Sequence, residues 1–314
     1  MRSMTRRAAL GVLALSGAFG AYTYAERRRM RQTAQTLYAN PLSKPEQGQR
    51  VYHLGHSLVG RDMPAMLANL AGPGHSYESQ LGWGTSLREH WEPDLAINGF
   101  DVENDHPRFR PAKAAIGSGV YDCIVLTEMV EIADAIRYHD SAAYLARWAA
   151  LALDANPKAR IYLYETWHHT DDEKGWLARI DHDLPTFWQD QVKFPALVKG
   201  QAPIYLIPAG QVKAAFIREV EAQGGVEGIR EASDLFARSD DGSPDTIHFN
   251  DLGAYLVALT HYAVIYHRSP VGLPHALTRA DGTPAIAPTP EVAALMQQIV
   301  WDVVQRHPET GVAV

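Results

Sequence analysis

The sequence has little cysteine, no internal repeat and no compositional bias of the kind found in collagen-like, coiled-coil or disordered chains. Only one of its 314 residues is a cysteine, which excludes an intramolecular disulfide. Because Cys123 lies in an apolar run, we expect a buried and unreactive thiol. The 46% hydrophobic and 21% charged residues are typical of a globular protein. The length permits one large domain or two small ones, of which we favour one.

Long apolar segments are also scarce, and the clearest one, residues 8–25, lies between two basic groups near the N-terminus. Residues 1–31 therefore resemble either a signal peptide or an N-terminal membrane anchor. Residues 5–10 loosely match a twin-arginine export signal, and residues 23–25 offer a small-x-small cleavage site. Alternatively, residues 8–25 are just long enough to cross a bilayer and anchor the chain. Both alternatives predict an exported protein, either periplasmic or membrane-anchored and facing outward.

Positive charge is scarce outside this N-terminal segment. Seven arginines and one glutamate give residues 1–31 a charge of +6. Since the whole chain has a net charge of −7, the remaining 283 residues carry −13. A body this acidic repels a phosphate backbone, so we expect no nucleic-acid partner. For the same reason we expect a substrate that is neutral or cationic where it touches the protein.

Apolar residues follow an alternating strand and helix pattern over residues 50–267, after a proline-containing linker at 32–49. At least five alternations predict an α/β protein, a three-layer α/β/α sandwich around a mainly parallel sheet. We expect residues 268–314 to be a C-terminal extension whose helix packs on the same domain. Residues 92–111 are polar and form either a loop over a site or a surface insertion. The first predicted strand ends at residue 54. The other four cover residues 76–81, 121–127, 160–164 and 203–207.

A candidate nucleophile follows the first predicted strand. In a parallel sheet the ligand lies beyond the carboxyl ends of the strands, and the stretch "VYHLGHS" ends there with Ser57. A second Gly-His-Ser, residues 74–76, precedes a strand instead. Ser76 therefore falls at the wrong edge of the sheet for chemistry.

The base that such a serine needs is found far along the chain. Asp245 and His248 are three residues apart, just before the last core helix, so both side chains can point at the same sheet edge. His248 would then accept the proton of Ser57, while Asp245 fixes the imidazole tautomer. There is no G-x-S-x-G sequence, which excludes the nucleophile elbow of the α/β-hydrolases.

These blocks together resemble the SGNH, or GDSL-type, hydrolase superfamily over most of residues 50–267. The resemblance lies in the position of Ser57, the glycine-containing "LGWGTSL" and the block "DTIHFN". It implies a flavodoxin-like fold and a serine esterase that acts on acetyl or other acyl groups of carbohydrates or lipids. It also implies an oxyanion hole made by the N–H groups of Ser57 and Gly84.

The third block departs from the pattern that the resemblance implies. The family usually has an oxyanion-binding asparagine after the third strand, whereas residues 126–131 read "LTEMVE". A carboxylate would repel an oxyanion unless it were protonated or turned to another partner. Glu128 therefore either binds substrate hydroxyls or orients a neighbouring donor; alternatively, it simply pairs with an arginine near the strand end.

Residues 164–172, "YETWHHTDD", follow another predicted strand and supply further candidates. Glu165, Trp167 and His168 are possible substrate-binding or auxiliary residues. Trp167 would pack on a sugar ring or an acyl chain, and His168 would supply the missing donor. The alternative is a solvated loop whose aspartates cap the next helix. Because no pair has a zinc-binding helical spacing, we expect no metal, and no cofactor motif is present.

The sequence therefore predicts an exported serine esterase that removes a small acyl group, such as O-acetyl, from a carbohydrate or related ester. Transfer of the acyl group to another hydroxyl would use the same residues. A non-catalytic envelope protein that binds glycans or assembly partners is the alternative from another class, and it is motivated by the missing asparagine. Substrate specificity is expected to reside in the loops 92–111 and 268–289.

Overall fold

A computed structural model describes residues 25–239 and 241–313 of the chain. Nearly all of the apolar segment 8–25, which the sequence predicts to be part of a signal or an anchor, lies outside these described residues. Within them, none of the helices combines the length and the apolar character that a membrane span needs. Residues 25–37 are helical and form the described part of helix α1.

The described part of α1 is attached to the main body of the protein. Ala34 and Tyr38 are buried, and the Tyr38 hydroxyl donates a hydrogen bond to a backbone carbonyl of the body. Arg31 donates two hydrogen bonds to the Asp190 carboxylate, at 2.8 and 2.6 Å. Residues 32–37, which the sequence pattern assigns to a linker, are therefore helical and packed.

Five parallel strands form the central sheet. Their bounds are β1 Arg50–Leu54, β2 Ser76–Gln80, β3 Cys123–Leu126, β4 Arg160–Glu165 and β5 Tyr205–Pro208. Neighbouring strands follow the order β2-β1-β3-β4-β5, and all four pairs are parallel. All four residues of β3 are buried, including Cys123, as expected of a strand covered by helices on both faces.

Helices cover both faces of this sheet. One layer contains α2, α10, α11 and α12, which pack against one another, and the other contains α3, α5, α7 and α9. The predicted three-layer α/β/α sandwich is thereby confirmed. The bounds are α2 Asp62–Ala71, α3 Leu87–Trp91, α4 Phe100–Asn104, α5 Ala112–Gly117, α6 Ile132–His139, α7 Ser141–Ala155, α8 Trp176–Asp183, a π-helix Leu184–Lys193, α9 Phe194–Gly200, α10 Ala209–Ala222, α11 Asp251–Tyr266 and α12 Pro290–Arg306.

Helix α11 is more deeply buried than its sequence pattern indicates. In the sequence, one apolar face is indicated by Leu252, Tyr255, Leu256, Leu259 and Ala263. In the structure, almost the whole circumference from Gly253 to Tyr266 is buried. The reason is that α2, α10 and α12 all pack on this helix, and a helix enclosed in this way is apolar on every side. The Asn250 side chain accepts hydrogen bonds from the first free N–H groups of α11 and fixes where the helix begins.

A small antiparallel hairpin leads into α11. Its strands are β6 Phe236–Arg238 and β7 Pro244–Phe249. The sequence predicts a loop for the segment that carries Asp245 and His248, whereas this segment is the second strand of the hairpin, which has an irregular register.

The polar stretch at 92–111 is fastened to the free edge of β2. Ser79 N–H donates to the Arg108 carbonyl at 3.0 Å, and Arg110 N–H donates to the Ser79 carbonyl at 3.2 Å. The Asn104 side chain exchanges two hydrogen bonds with the Leu81 backbone, at 3.0 and 2.9 Å. The segment is therefore an ordered wall beside the carboxyl end of β2.

Candidate active site

Ser57 lies directly beyond the carboxyl end of β1, which is the edge that the sequence predicts. Strand β1 ends at Leu54, and the chain then passes close to the end of β3. A Cβ atom at position 55 would lie 2.3 Å from Thr127 Cγ2, so only glycine allows this approach. Gly55 thus lets the turn fold against β3 and present the following serine.

His56 holds the turn that carries Ser57. Its Nε2 donates to the backbone carbonyl of Glu128 at 2.8 Å, and its Nδ1 faces the Leu58 N–H at 3.4 Å. Burial lowers the pKa of His56 to about 4 and outweighs the hydrogen bond to the Glu128 carbonyl. His56 is therefore a neutral residue that ties the serine turn to the loop after β3.

A second buried histidine supports the same turn from the other side. His90 Nε2 donates to the Gly55 carbonyl at 2.8 Å, and His90 Nδ1 accepts from the Gln80 side-chain amide at 2.9 Å. Burial lowers the pKa of His90 to about 4. Sequence reasoning did not single out His90, because nothing in its neighbours indicates that α3 brings it under Gly55.

The structure brings Ser57, His248 and Asp245 together. His248 Nε2 lies 3.0 Å from Ser57 Oγ, and His248 Nδ1 lies 2.8 Å from Asp245 Oδ2. The second oxygen of Asp245 accepts the N–H groups of Ile247 and His248, at 2.7 and 2.8 Å. The three-residue spacing therefore works through a local turn in which Asp245 holds both the backbone and the ring of His248.

The carboxyl of Asp245 is set up to stay ionised. Burial opposes its ionisation, but the N–H groups of His248 and Ile247 and the His248 ring outweigh burial and lower its pKa. An ionised carboxylate at Nδ1 places the imidazole proton on that nitrogen and leaves Nε2 as an acceptor facing Ser57. The arrangement can take a proton from the serine hydroxyl.

Residues 167–170 hold strand β7 in place. Trp167 Nε1 donates to the Ile247 carbonyl at 2.8 Å, and Thr170 N–H donates to the Thr246 carbonyl at 3.0 Å. His169 Nδ1 lies 2.7 Å from the Thr246 hydroxyl. These contacts lie just before His248 and fix the position of its backbone.

An open cavity of about 610 Å³ adjoins the Ser57 hydroxyl. Gly84 lines it, with a φ of +56° that favours glycine. Among the described residues, neither the Ser57 N–H nor the Gly84 N–H has a hydrogen-bond acceptor. Both residues therefore have an unpaired N–H group and both line this cavity. The remaining lining residues are His56, Leu58, Gly60, Trp83, Glu103, Val130, His169, Ile247 and His248.

The tryptophan that this cavity exposes is Trp83 and not Trp167. Trp83 is 50% exposed, and its Nε1 donates to Glu103 at 2.7 Å. Trp167 is buried and stacked on Phe249, with ring centroids 3.9 Å apart. Trp167 therefore supports the fold and does not pack on a sugar ring as expected. The exposed aromatic face is that of Trp83, which belongs to the motif "LGWGTSL".

Glu128 and Glu165 do not line the cavity. Glu128 is buried, and one of its oxygens accepts the N–H groups of Met129 and Leu87, at 2.9 and 3.2 Å. Its carboxyl is thus turned to other partners and away from the place where it would repel an oxyanion. Burial raises its pKa to about 7 and outweighs its hydrogen bonds. Glu128 therefore contacts backbone N–H groups. Among the described residues it does not pair with an arginine, and it does not face the cavity where a substrate hydroxyl would bind.

Glu165 has an equivalent place at the end of β4. Its carboxyl accepts the Gly210 and Gln211 N–H groups, at 2.9 and 3.3 Å, at the start of α10. Burial raises its pKa to about 8 against these hydrogen bonds. Glu165 therefore satisfies free N–H groups of a helix and does not face a substrate.

His168 points away from Ser57 into a charged cluster. Its Nε2 lies 3.2 Å from Asp183, whose pKa is about 2 because hydrogen bonds from His168, His182 and Arg179 outweigh burial. The predicted donor role at the oxyanion therefore does not fit His168. The adjacent His169, unlike His168, lines the cavity, together with His56 and His248.

The same cluster contains atoms spaced as metal ligands would be. Glu131, His168 and Asp183 each bring one such atom within 4.8 Å of the others. However, the Arg179 guanidinium already contacts Glu131 at 2.5 Å, Asp172 at 2.7 Å and Asp183 at 2.8 Å. The cluster therefore already contains a cation that contacts all three carboxylates.

No protein-family model and no curated protein sequence matches the chain. Among solved structures, a GDSL-like lipase from Parabacteroides merdae is 13% identical, covers 71% of this chain and 99% of its own, and has a TM-score of 0.41. A carbohydrate esterase family 3 protein from Talaromyces cellulolyticus is 14% identical over 68% of this chain and 94% of its own, with a TM-score of 0.35. A family 2 carbohydrate esterase with a carbohydrate-binding domain, from Corynascus thermopiles (Myceliophthora fergusii), is 9% identical. The match covers 71% of this chain and 67% of that esterase, with a TM-score of 0.33.

At identities of 9 to 14% these solved structures are similar to the chain in fold alone. The assignment of the fold itself rests on the strand order and on the two helical layers described above.

Proposed function

We propose that the chain is a serine esterase that removes a small acyl group, such as O-acetyl, from a hydroxyl of a carbohydrate. The observation that carries this proposal is the alignment of three side chains. His248 lies 3.0 Å from the Ser57 hydroxyl and 2.8 Å from the Asp245 carboxylate. A serine with this support is a nucleophile, whereas an isolated serine is not.

In the proposed reaction Ser57 Oγ attacks the acyl carbonyl carbon while its proton passes to His248 Nε2. The tetrahedral intermediate collapses, the ester C–O bond breaks, and the sugar oxygen takes the proton from His248. Water then attacks the acyl-serine with His248 as the base, which releases the carboxylic acid and restores Ser57. Asp245 stabilises the imidazolium in both halves of the cycle.

The developing oxyanion would be bound by the N–H groups of Ser57 and Gly84. Support comes from their position on one cavity and from the absence of a competing acceptor for either group among the described residues. Backbone donors of this kind contribute about 3 to 4 kcal/mol each to the stability of the transition state. None of the described residues that line the cavity has a side-chain amide, so in this proposal the two backbone donors act without the asparagine that is usual in SGNH hydrolases.

A carbohydrate is favoured as the alcohol part of the ester. The cavity is open, and the half-exposed Trp83 offers an aromatic face with the Glu103 carboxylate beside it. Such a pair suits a sugar, which has both apolar C–H faces and hydroxyl groups. Solved structures of similar fold include two carbohydrate esterases.

Covalent labelling tests the proposal. A fluorophosphonate probe should modify the purified protein at Ser57, as read by peptide mass spectrometry, and the variant Ser57→Ala should remain unlabelled. The matched control is Ser76→Ala, which removes the serine of the second Gly-His-Ser and should label normally. Absence of labelling at Ser57, together with no turnover of p-nitrophenyl acetate, would favour the glycan-binding alternative.

Hydrolysis and transfer are separated by their products. With an acetylated oligosaccharide as donor and an unacetylated one as acceptor, a hydrolase releases acetate and leaves the acceptor unchanged. Acetylation of the acceptor, seen by mass spectrometry, would instead establish acyl transfer by the same triad.

We also infer that the protein acts outside the cytoplasm, on the basis of the basic and apolar pattern of residues 1–31. Fractionation of cells that express the full chain should find it in the periplasm or the membrane. The N-terminal sequence of the recovered protein separates the two alternatives, because a signal peptide would be removed near Ala25 and an anchor would not.

A further inference from the structure

A second cavity, of about 370 Å³, lies beside the proposed active site and has an unusual composition. The proposed catalytic steps use none of its polar residues. Three arginines and one histidine line it, together with an aromatic ring and one carboxylate. These six residues are Arg61, Arg108, Arg110, His106, Tyr77 and Glu78.

The cavity is built where the two segments expected to govern specificity meet. His106, Arg108 and Arg110 come from the stretch 92–111, which is fastened to the edge of β2. Ala280 comes from the connection 268–289, and its N–H donates to Asp62 at 2.9 Å. Segments that are distant in sequence are thus held together around one space.

This arginine-lined cavity adjoins the cavity at Ser57. Gly60 borders both of them, and Arg61 also borders the small space beneath Ser57 and His248. Gly60, in the turn after Ser57, is thus a wall that the two cavities share. A ligand that is longer than one sugar unit could therefore place one part at Ser57 and another among the arginines.

The positive charge of this cavity is only partly neutralised. Arg110 pairs with Glu78 at 2.9 Å. Arg61 donates to the backbone carbonyls of Val102 and Glu103, which leaves its charge unpaired. The Arg108 guanidinium lies over the Tyr77 ring, 5.0 Å from its centroid. Within the described part of the chain, neither Arg61 nor Arg108 forms an ion pair with a carboxylate.

We propose that this cavity is a subsite for an anionic group, a carboxylate or a sulfate ester, carried by the acylated carbohydrate whose ester Ser57 cleaves. The proposal rests on the proposed function and adds the substrate class. It departs from the expectation of a neutral or cationic substrate, because the charge of −13 is a property of the whole body and not of this surface.

Guanidinium groups suit this task for a physical reason. A planar guanidinium offers paired N–H donors that match two oxygens of a carboxylate or sulfate, and it is weakly hydrated and always charged. The Tyr77 ring under Arg108 restricts this side chain, so less freedom is lost when an anion binds. A hydrogen bond to a charged group at such a site changes affinity by about tenfold.

A matched pair of substrates tests the proposal. Acetylated oligogalacturonate carries free carboxylates, and its methyl ester has the same backbone and acetyl groups without the charge. We expect kcat/KM for acetate release to be about tenfold higher for the free acid, mainly through KM, and the difference to shrink at high salt. A sulfated, acetylated xylo-oligosaccharide, compared with its unsulfated form, tests the other anion.

Two variants test whether a preference for the free acid over the methyl ester arises from this cavity. Arg108→Gln should bring the ratio of free acid to methyl ester close to one, and Arg108→Lys should retain part of it. The charge-matched control is Arg218→Gln, because Arg218 is exposed, pairs with Asp181 and lines neither cavity. It should keep the ratio of the parent protein. A preference that survives in Arg108→Gln would overturn the proposal.

A binding measurement distinguishes failure of the subsite from failure of the proposed function. Calorimetry with Ser57→Ala and deacetylated oligogalacturonate needs no catalysis, and binding that is lost in Ser57→Ala/Arg108→Gln supports the subsite even if no ester is hydrolysed. Ester hydrolysis without any preference for either anion, together with no binding of either anionic oligosaccharide, would overturn the subsite and leave the esterase intact.

Discussion

The tripeptide Gly-His-Ser occurs twice, and its two copies lie at opposite edges of the same sheet. Residues 55–57 follow the carboxyl end of β1, whereas residues 74–76 end with the first residue of β2. Ser57 Oγ faces His248 at 3.0 Å. The Ser76 hydroxyl has no hydrogen-bond partner in the part of the chain that the structure describes.

The histidines of the two copies differ in the same way. His56 contacts backbone groups of the serine turn and of the loop after β3. His75 Nδ1 instead contacts the Tyr266 hydroxyl of α11, at 2.7 Å. The same tripeptide thus forms the turn of the proposed nucleophile in one copy and begins a strand in the other. The position of Ser57 at the carboxyl edge of the sheet, which the tripeptide alone does not reveal, makes it the candidate nucleophile.

The largest expected effect comes from removing each serine in turn. We expect Ser57→Ala to lower kcat/KM for p-nitrophenyl acetate by about 10⁵-fold, because the nucleophile is lost. Ser76→Ala should stay within about twofold of the parent protein, since surface substitutions change little. Steady-state kinetics measure both variants, and thermal unfolding checks that they are folded. If the two rates fell equally, the contrast between Ser57 and Ser76 would be wrong.

The second prediction concerns what Ser57 has and Ser76 lacks, namely a histidine oriented by a carboxylate. Asp245→Asn keeps the shape but allows the wrong imidazole tautomer, so we expect kcat to fall by about 10⁴-fold. The KM should change much less, because Asp245 does not line the substrate cavity. A loss confined to KM would contradict the role of Asp245 in orienting the base.

The third prediction uses a property that the two copies share. Burial lowers the pKa of both His56 and His75 to about 4, well below an unfolded value of about 6.5. Between these values the unfolded chain binds more protons, so stability falls as the pH drops from 6.5 to 4. For the fully buried His56 the loss reaches about 3 kcal/mol at pH 4.

Two buried carboxyls have the opposite effect at higher pH. The pKa values of Glu128 and Glu165 are raised to about 7 and 8. Their contribution to stability is complete below their unfolded pKa of about 4.3 and is lost progressively as the pH rises from there to 7 and 8. Above pH 6.5 the histidines no longer titrate, so the carboxyls alone should lower the melting temperature up to about pH 8, and Glu165→Gln should flatten this alkaline side. Below pH 6.5 the carboxyls oppose the histidines, so the histidine part is measured in Glu128→Gln/Glu165→Gln, where a constant melting temperature between pH 6.5 and 4.5 would contradict it.

Much of this comparison could be predicted from the sequence, because it depends on local patterns. Continuous apolar runs indicate strands covered on both faces, and the positions of the strand ends then follow. The spacing of Asp245 and His248 is equally local, since one turn of backbone brings carboxylate and ring together. Ser57 could be selected over Ser76 by asking which of them follows a strand.

The supporting residues could not be predicted, because their partners are distant in sequence. Trp83 and Trp167 both follow strands, yet Trp167 is covered by Phe249, which only the folded hairpin brings near. Glu128 and Glu165 look like site residues until the N–H groups that they bind are known. Long-range packing decides which of two similar residues faces the cavity.

The smallest expected effect concerns the histidines within the two tripeptides. His56→Gln should lower kcat by about tenfold, because a flexible amide holds the serine turn less firmly than a ring that bridges the Glu128 carbonyl and the Leu58 N–H. His75→Gln should leave kcat within about twofold, although both substitutions reduce the melting temperature, since each alters a buried ring. Comparing kcat with melting temperature for the pair separates positioning from general stability. Equal losses of kcat would mean that the serine turn is held by the rest of the fold, with His90 as its main support.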